Sequence, residues 1–222
     1  MFAHIGVLFV ALMTAAPAFA QTPAAAPERP VKMVVLGDSL SAGLGLSAAS
    51  AFPVRLQKSL SDKGIKVDMT NAGVSGDTSS GGRDRLDWSV PEGTEAVIVE
   101  LGANDALRGI DPAVTRAALT EILTRLKARK VAVLLCGMFA PPNYGSEYAA
   151  RFNAIYPELS KAFGVPLYPF FLEGVAAEAK LNQADGIHPN PKGVDVVVER
   201  ILPFVTKNLD DYASSVRRPA RP

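Results

Sequence analysis

The sequence has very little of the two residue types that most often build covalent cross-links and metal sites. Only Cys136 is a cysteine among the 222 residues, which excludes an intrachain disulfide, and we expect it to be a buried structural thiol. The two histidines, His4 and His188, are too few with one cysteine for a typical zinc site. The formal net charge is only +1 and no basic stripe is present, which argues against nucleic-acid binding.

Several motifs with well-defined chemistry are also absent. The nucleophile elbow G-x-S-x-G does not occur, which excludes the standard α/β-hydrolase pattern. The sequence contains no Walker loop, no G-x-G-x-x-G and no H-E-x-x-H.

The first twenty residues have the pattern of a secretory signal peptide. An apolar core at residues 5–13 is followed by the small-x-small sequence Ala-Phe-Ala at 18–20, and we expect cleavage after Ala20. The segment before the core lacks Lys and Arg, so an uncleaved membrane anchor is the alternative. No cysteine directly follows the cleavage site, which argues against a lipoprotein. Residues 21–30 are rich in Pro and Ala and are expected to form a flexible leader.

The remaining chain alternates apolar runs with amphipathic segments. The runs predict five strands, of which the last contains two prolines and suits a sheet edge: 32–37, 66–71, 95–102, 130–137 and 165–170. Helices are predicted between and after them, at 52–64, 111–130, 146–164 and 191–209. This alternation predicts a three-layer α/β fold with a parallel sheet, in one domain over 31–210 followed by a disordered tail at 211–222.

In the helix predicted at 111–130, Asp111 is the expected N-cap and Pro112 the first helical residue. Its apolar stripe is expected to contain Val114, Ala118, Ile122 and Leu126.

Short polar clusters follow the predicted strands. Gly-Asp-Ser ends the first, Ser-Gly-Asp and Gly-Ala-Asn-Asp follow the second and third, and Asp-Gly-Ile-His lies near the C-terminus. Functional sites in parallel sheets lie at the carboxyl ends of strands, so we expect these clusters to share one edge.

A nucleophilic serine needs a base to take its proton and an acid to orient that base. After signal cleavage the only histidine is His188, and Asp185 precedes it by three residues. Ser39, His188 and Asp185 are therefore the candidate catalytic residues. The alternative for His188 is a loop histidine held by neighbouring backbone groups.

Acyl transfer also requires donors for the developing oxyanion. The candidates are the backbone N–H groups of Ser39 and Gly76 and the side-chain amide of Asn104. A glycine at position 76 would let the backbone approach a ligand closely. The alternatives are a tight turn for Gly76 and a helix cap for Asn104.

At these residues the sequence resembles the GDSL, or SGNH, hydrolases, and within them the periplasmic thioesterase I, lysophospholipase and arylesterase branch. The four signature positions correspond to Ser39, Gly76, Asn104 and His188, in the family's order, and the likeness runs from about residue 32 to about residue 205. The resemblance implies a flavodoxin-like sheet of five parallel strands, a Ser-His-Asp triad, no metal and no nucleotide cofactor, and export to the periplasm. Ala103 departs from the family, where a glycine is common.

The expected reaction is hydrolysis of small-molecule carboxylic esters, and of acyl thioesters, through an acyl-enzyme. Leu107, Ile110, Phe139 and Tyr144, with Pro141 and Pro142, are candidates for an apolar acyl groove. A carbohydrate O-deacetylase with the same triad is an alternative, as is a flavodoxin-like binding module without activity. We expect a monomer that does not remain inserted in a membrane after cleavage.

Overall fold

The computed structural model describes residues 29–217, and its centre is a five-stranded parallel sheet. The strands run in the order β2-β1-β3-β4-β5, and their bounds are Val31–Gly37 (β1), Val67–Gly73 (β2), Ala96–Glu100 (β3), Ala132–Cys136 (β4) and Leu167–Tyr168 (β5). This is the flavodoxin-like order, in which the chain moves outward from β1 in both directions. The predicted fold class is confirmed.

Nine α-helices lie in the described part of the chain, and two short 3₁₀ turns accompany them at Ala48–Ser50 and Pro142–Tyr144. The helices span Ser39–Ala42 (α1), Phe52–Asp62 (α2), Ser79–Asp84 (α3), Leu86–Ser89 (α4), Ala103–Leu107 (α5), Pro112–Ala128 (α6), Gly145–Asn153 (α7), Ile155–Phe163 (α8) and Pro191–Arg217 (α9). Helices α2 and α9 pack together in one layer, whereas α6 packs with α3 and α8 in the other.

The central strands are buried on both faces, as their continuous apolar sequences predict. All five residues of β3 are inaccessible to solvent. Strand β5 has only two residues because Pro166 and Pro169 flank it and cannot donate to the sheet, so it is shorter than the predicted 165–170. Cys136 at the end of β4 is fully buried, as expected, and burial raises the pKa of its thiol well above the ordinary value.

Helix α6 begins as predicted, and of its predicted apolar stripe Ala118, Ile122 and Leu126 are fully buried. The Asp111 side chain accepts a hydrogen bond from the Ala113 N–H at 3.0 Å, and Pro112 is the first helical residue. Val114 is 47% exposed, so its place in the predicted stripe is wrong. Residues spaced by four drift by about 40° per step around a helix, and Val114 therefore lies outside the buried face centred on Leu119 and Ile122.

Two further boundaries differ from prediction. The segment 146–164 forms α7 and α8 rather than one helix, because Pro157 lacks the N–H that would bond the Asn153 carbonyl. Helix α9 continues to Arg217, beyond its predicted end at residue 209 and into the segment predicted as the tail. The predicted signal peptide, residues 21–28 of the leader and residues 218–222 lie outside the described residues.

No helix within residues 29–217 combines the length and apolar character needed to cross a membrane.

Helix α2 offers a direct test of the core. Leu56 is fully buried whereas Val54, on the same helix, is 48% exposed. Leu56→Ala should lower the free energy of unfolding by about 2–5 kcal/mol, since it removes buried methyl groups and leaves a cavity. Val54→Ala should change it by less than about 0.5 kcal/mol. Urea denaturation measures both, and equal losses would contradict the assigned helix face.

Candidate active site

The polar clusters meet at the carboxyl edge of the sheet because the first three strands end level with one another. In the parallel register Gly37 of β1 is paired with Gly73 of β2 and with Glu100 of β3. The segments that follow these strands therefore start side by side. In the structure the polar clusters after these strands share one edge of the sheet, as predicted.

Ser39 is the first residue of α1, directly after the sharp turn at the end of β1. Its side chain is nearly buried, with the residue 7% exposed, and its Oγ lies 2.8 Å from His188 Nε2. Gly37 is required at this turn because a Cβ there would overlap Ser41 Oγ and approach Glu100 Oε2. The glycine of Gly-Asp-Ser thus leaves room for Ser41 Oγ to meet Glu100 Oε2.

Asp185 and His188 lie in one tight loop between β5 and α9. Asp185 Oδ1 accepts hydrogen bonds from the backbone N–H groups of Ile187 and His188, at 2.9 and 3.0 Å, and Oδ2 lies 2.7 Å from His188 Nδ1. An ionised carboxylate can only accept, so Nδ1 carries a proton. In the neutral imidazole this leaves Nε2 as the acceptor that faces Ser39 Oγ.

The hydrogen bonds to Asp185 also keep it charged. Donation from the backbone N–H of His188, then from that of Ile187, and then from the His188 ring lowers the Asp185 pKa from 3.8 to about 2. The carboxylate is therefore ionised at any pH at which an esterase assay is run.

Asn104 and Ser39 line the same cavity, whereas Gly76 is not one of its lining residues. Neither the Ser39 N–H nor the Gly76 N–H has an acceptor among residues 29–217. Asn104 Nδ2 donates one hydrogen to Asp38 Oδ2 at 3.1 Å, which leaves its second hydrogen unused. The structure thus contains three free donors at the predicted oxyanion residues.

The backbone conformation at position 76 favours glycine. A Cβ there would meet only Arg108, at 3.5 Å, which is an ordinary contact, and close approach of a ligand at this position stays a prediction. Its φ of +81° lies in the left-handed region, which side chains disfavour. The Gly76 carbonyl accepts from Arg108 Nη2 at 2.7 Å, which connects this loop to the end of α5.

Arg85 was not identified from the sequence, yet it joins the ends of β1 and β2. It donates to the carbonyls of Gly37 and Ala72, at 2.9 and 2.8 Å, and its Nε donates to Asp77 Oδ2 at 2.7 Å. Asp77 is adjacent to Gly76. A planar guanidinium with several donors suits this position, and a lysine would not replace it.

Two acidic residues are buried behind Ser39. Burial raises the pKa of Asp38 from 3.8 to about 6, against hydrogen bonds from Leu40 N–H and Asn104. Burial, and then the charge of Asp38, raise the pKa of Glu100 well above its ordinary value. Glu100 Oε2 accepts from Ser41 Oγ at 2.6 Å and from the Asp38 N–H at 3.3 Å. Burial and the Asp38 charge both favour the neutral form of the Glu100 carboxyl.

A mainly apolar cavity of about 200 Å³ is shared by Ser39 and His188. Its lining residues lie in the segments that follow β1, β3, β4 and β5: Asp38, Ser39, Leu40, Ala103, Asn104, Ala106, Leu107, Met138, Phe139, Pro141, Phe170, Leu172, Ile187 and His188. Ala103, the departure from the family pattern, is part of this wall.

Only some of the predicted substrate-binding residues reach the cavity. Leu107 and Phe139 line it, as Pro141 does, whereas Ile110, Tyr144 and Pro142 do not. Tyr144 turns away because its OH donates to the Leu107 carbonyl at 2.8 Å and its ring packs over Gly109. The wall residues that sequence reasoning missed are Met138, Phe170, Leu172 and Ile187. Ile187 could have been predicted from the sequence, because it lies between the candidate catalytic residues Asp185 and His188.

A larger cleft of about 780 Å³ lies away from this edge, between α6 and the pair α7–α8. Its charged side chains form ion pairs, Arg116 with Glu158 and Arg151 with Asp111. It brings no nucleophile next to a base, so we place the active site at the smaller cavity. No group of three or more potential metal ligands occurs in the described residues.

A parallel α/β fold that aligns serine, histidine and aspartate at one sheet edge has the features of a serine hydrolase. Residues 35–196 match the GDSL-like lipase/acylhydrolase family. The chain belongs to this family, which confirms the resemblance found in the sequence.

Relatives agree with this membership. The thioesterase 1/protease 1/lysophospholipase L1 of Escherichia coli (strain K12) is 40% identical over 207 residues, which cover 91% of this chain and 93% of that protein. The arylesterase of Vibrio mimicus is 37% identical over 186 residues, covering 83% and 93%. The crystal structure of AlinE4, an SGNH-hydrolase family esterase, is 42% identical with a TM-score of 0.70, covering 83% and 99%. The chain is accordingly a carboxylic ester hydrolase.

The raised pKa of Asp38 predicts a pH-dependent stability. Between about pH 4 and pH 6 the folded chain keeps a proton on Asp38 that the unfolded chain has released, so the free energy of unfolding falls as pH rises. Asp38→Asn abolishes this titration. From about pH 4 to pH 7 the wild type should lose about 2 kcal/mol relative to the variant, at about 1.4 kcal/mol per pKa unit, because the unfolded chain is still partly protonated at Asp38 at pH 4.

Urea denaturation at the two pH values measures this difference, with the exposed Asp68→Asn as the control. A wild-type stability that changes with pH in parallel with that of Asp38→Asn would show that Asp38 titrates normally.

Proposed function

We propose that this chain hydrolyses carboxylic esters and acyl thioesters through an acyl-enzyme formed on Ser39. The observation that carries the proposal is the continuous hydrogen-bonded chain from Ser39 Oγ to His188 Nε2, at 2.8 Å, and from His188 Nδ1 to Asp185 Oδ2, at 2.7 Å. This is the order of groups that nucleophilic catalysis by serine requires.

In the first half-reaction Ser39 Oγ attacks the acyl carbonyl while His188 Nε2 takes its proton. Asp185 holds the imidazole in the tautomer with a proton on Nδ1 and stabilises the imidazolium that forms. The imidazolium then gives the Nε2 proton to the departing alcohol or thiol. The carbonyl–oxygen or carbonyl–sulfur bond breaks and the acyl group remains on Ser39.

The negative oxygen of the tetrahedral intermediate is stabilised by the N–H groups of Ser39 and Gly76 and by the second Nδ2 hydrogen of Asn104. In the second half-reaction His188 removes a proton from water, which attacks the acyl-enzyme. Collapse of the second tetrahedral intermediate releases the acid and restores Ser39.

The acyl chain is the part of the substrate that fits the cavity. Its wall beyond Ser39 and His188 is almost entirely aliphatic or aromatic, with Leu107 and Phe139 at the mouth, 45% and 51% exposed. A hydrocarbon chain gains free energy by burial against such a surface, whereas a sugar would leave its hydroxyls unpaired there. The names of the relatives, thioesterase, lysophospholipase and arylesterase, agree with an acyl substrate.

Residues 1–20 are proposed to direct export, with cleavage after Ala20 and a flexible leader up to about residue 30. The hydrolase domain would then act in the periplasm as a monomer. The basis for export is the N-terminal sequence, and the basis for the periplasm is the family resemblance.

Removal of the nucleophile should abolish activity. Ser39→Ala and His188→Ala should each reduce the hydrolysis of p-nitrophenyl butyrate to near background, because the acyl-enzyme cannot form. Ser61→Ala, an exposed serine on α2, should retain full activity. Equal rates in all of these proteins would remove Ser39 from the mechanism.

Loss of the aromatic wall should depend on the length of the acyl chain. Phe139→Ala should lower kcat/KM for p-nitrophenyl octanoate by about tenfold, since a lost apolar contact is worth about 1–3 kcal/mol. The acetate ester, which does not extend along the wall, should change little. Trp88→Ala is the matched control, because Trp88 is 85% exposed and lies outside the cavity. A uniform loss over all chain lengths would contradict the acyl groove.

A further inference from the structure

The side-chain amide of Asn104 has two ends with opposite hydrogen-bonding character. Only the NH₂ end can stabilise an oxyanion, and the two ends have nearly the same shape. A rotation of 180° about the last side-chain bond would present the carbonyl oxygen in place of the donor. The site therefore needs a neighbour that distinguishes the two ends.

Asp38 is that neighbour. The residue is fully buried, and its Oδ2 accepts from Asn104 Nδ2 at 3.1 Å. Its other oxygen, Oδ1, accepts from the Leu40 N–H at 2.9 Å, in the first turn of the helix that Ser39 begins. One carboxylate thus connects two of the proposed oxyanion donors, through the turn that holds the Ser39 N–H and through the Asn104 amide.

We infer that Asp38 is a positioning residue that selects the orientation of the Asn104 amide and so directs its second N–H to the oxyanion. The inference rests on the proposed function, because it gives Asn104 the role of an oxyanion donor. Asp38 does not touch the reacting atoms in this account. It acts through Asn104, which lies 66 positions away in the chain.

The chemistry of the contacts explains why a carboxylate is needed and an amide would fail. Both oxygens of Asp38 face N–H donors, so both must accept. An asparagine at position 38 has one acceptor and one donor. If its oxygen accepts from the Leu40 N–H, its NH₂ group faces Asn104. This NH₂ group favours the orientation of the Asn104 amide in which the carbonyl oxygen points towards position 38. That orientation exchanges the ends of the Asn104 amide relative to the wild type.

Glu100 allows Asp38 to be charged in this buried position. The Glu100 carboxyl lies behind Asp38 and accepts from its N–H and from Ser41 Oγ. Its Oε1 has no hydrogen-bond partner among residues 29–217, and a buried oxygen without a donor costs less free energy in a neutral carboxyl than in a carboxylate. A second charge beside Asp38 is thereby avoided.

A double-mutant cycle tests the inference. The variants are Asp38→Asn, Asn104→Ala and the combination, with kcat and KM measured on p-nitrophenyl butyrate and folding followed by thermal denaturation. Asn104→Ala should lower kcat by about a hundred- to a thousandfold, as the loss of an oxyanion donor does. Asp38→Asn should lower kcat by at least about tenfold with KM changed less than about threefold, since a misdirected donor affects the transition state. When residue 104 is already alanine, Asp38→Asn should lower kcat by less than about twofold.

A second cycle is the control. Trp88 is 85% exposed and lies outside the cavity that Asp38 lines, so the effects of Asp38→Asn and Trp88→Ala on kcat/KM for the octanoate ester should multiply.

The outcomes separate the inference from the proposed function. An equal kcat loss from Asp38→Asn in the wild-type and Asn104→Ala backgrounds would overturn the inference, because Asp38 would then act through the helix turn alone. An unchanged kcat in Asp38→Asn would also overturn it, while the proposed function would stand. An unchanged kcat in Asn104→Ala would instead remove Asn104 from the oxyanion hole and contradict that part of the proposed function.

Discussion

The hydrogen bond between Ser39 and His188 is the contact that the rest of the fold has to maintain. It joins residues 149 positions apart, one at the end of the first strand and one just before the last helix. The serine is held by β1 and the turn into α1. The histidine is held by a loop that leads into α9, and α9 packs against α2, β4 and β5. The packing of α9 against α2, β4 and β5 therefore supports the loop of His188 at the same edge of the sheet as Ser39.

The arrangement of the site around this contact lowers the free energy of unfolding. Asp38 is buried although burial disfavours its charge, Glu100 is buried beside it, and two backbone N–H groups have no acceptor among the described residues. Each feature opposes folding. Each is explained by the proposed ester hydrolysis, since a preorganised donor or acceptor needs no rearrangement as charge develops in the transition state. The surrounding core, with β3 and most of β1 inaccessible to solvent, provides the compensating burial.

Much of this arrangement was predictable from the sequence because it depends on local patterns. Apolar runs identified the strands, and the small polar clusters after them identified Ser39, Gly76, Asn104 and His188. What remained unpredictable depends on contacts distant in sequence. Tyr144 leaves the cavity because it bonds a carbonyl 37 positions away, and no local pattern contains that contact. The same holds for Arg85, whose acceptors belong to two different strands.

The measurement that tests the central claim most directly is covalent labelling with a fluorophosphonate, followed by mass spectrometry of the intact chain and of its peptides. The account predicts a single adduct on the peptide that contains Ser39, with ester hydrolysis lost in proportion to labelling. Hydrolysis that persists in fully labelled protein, or that disappears while the adduct lies on another residue, would contradict the claim that Ser39 is the nucleophile.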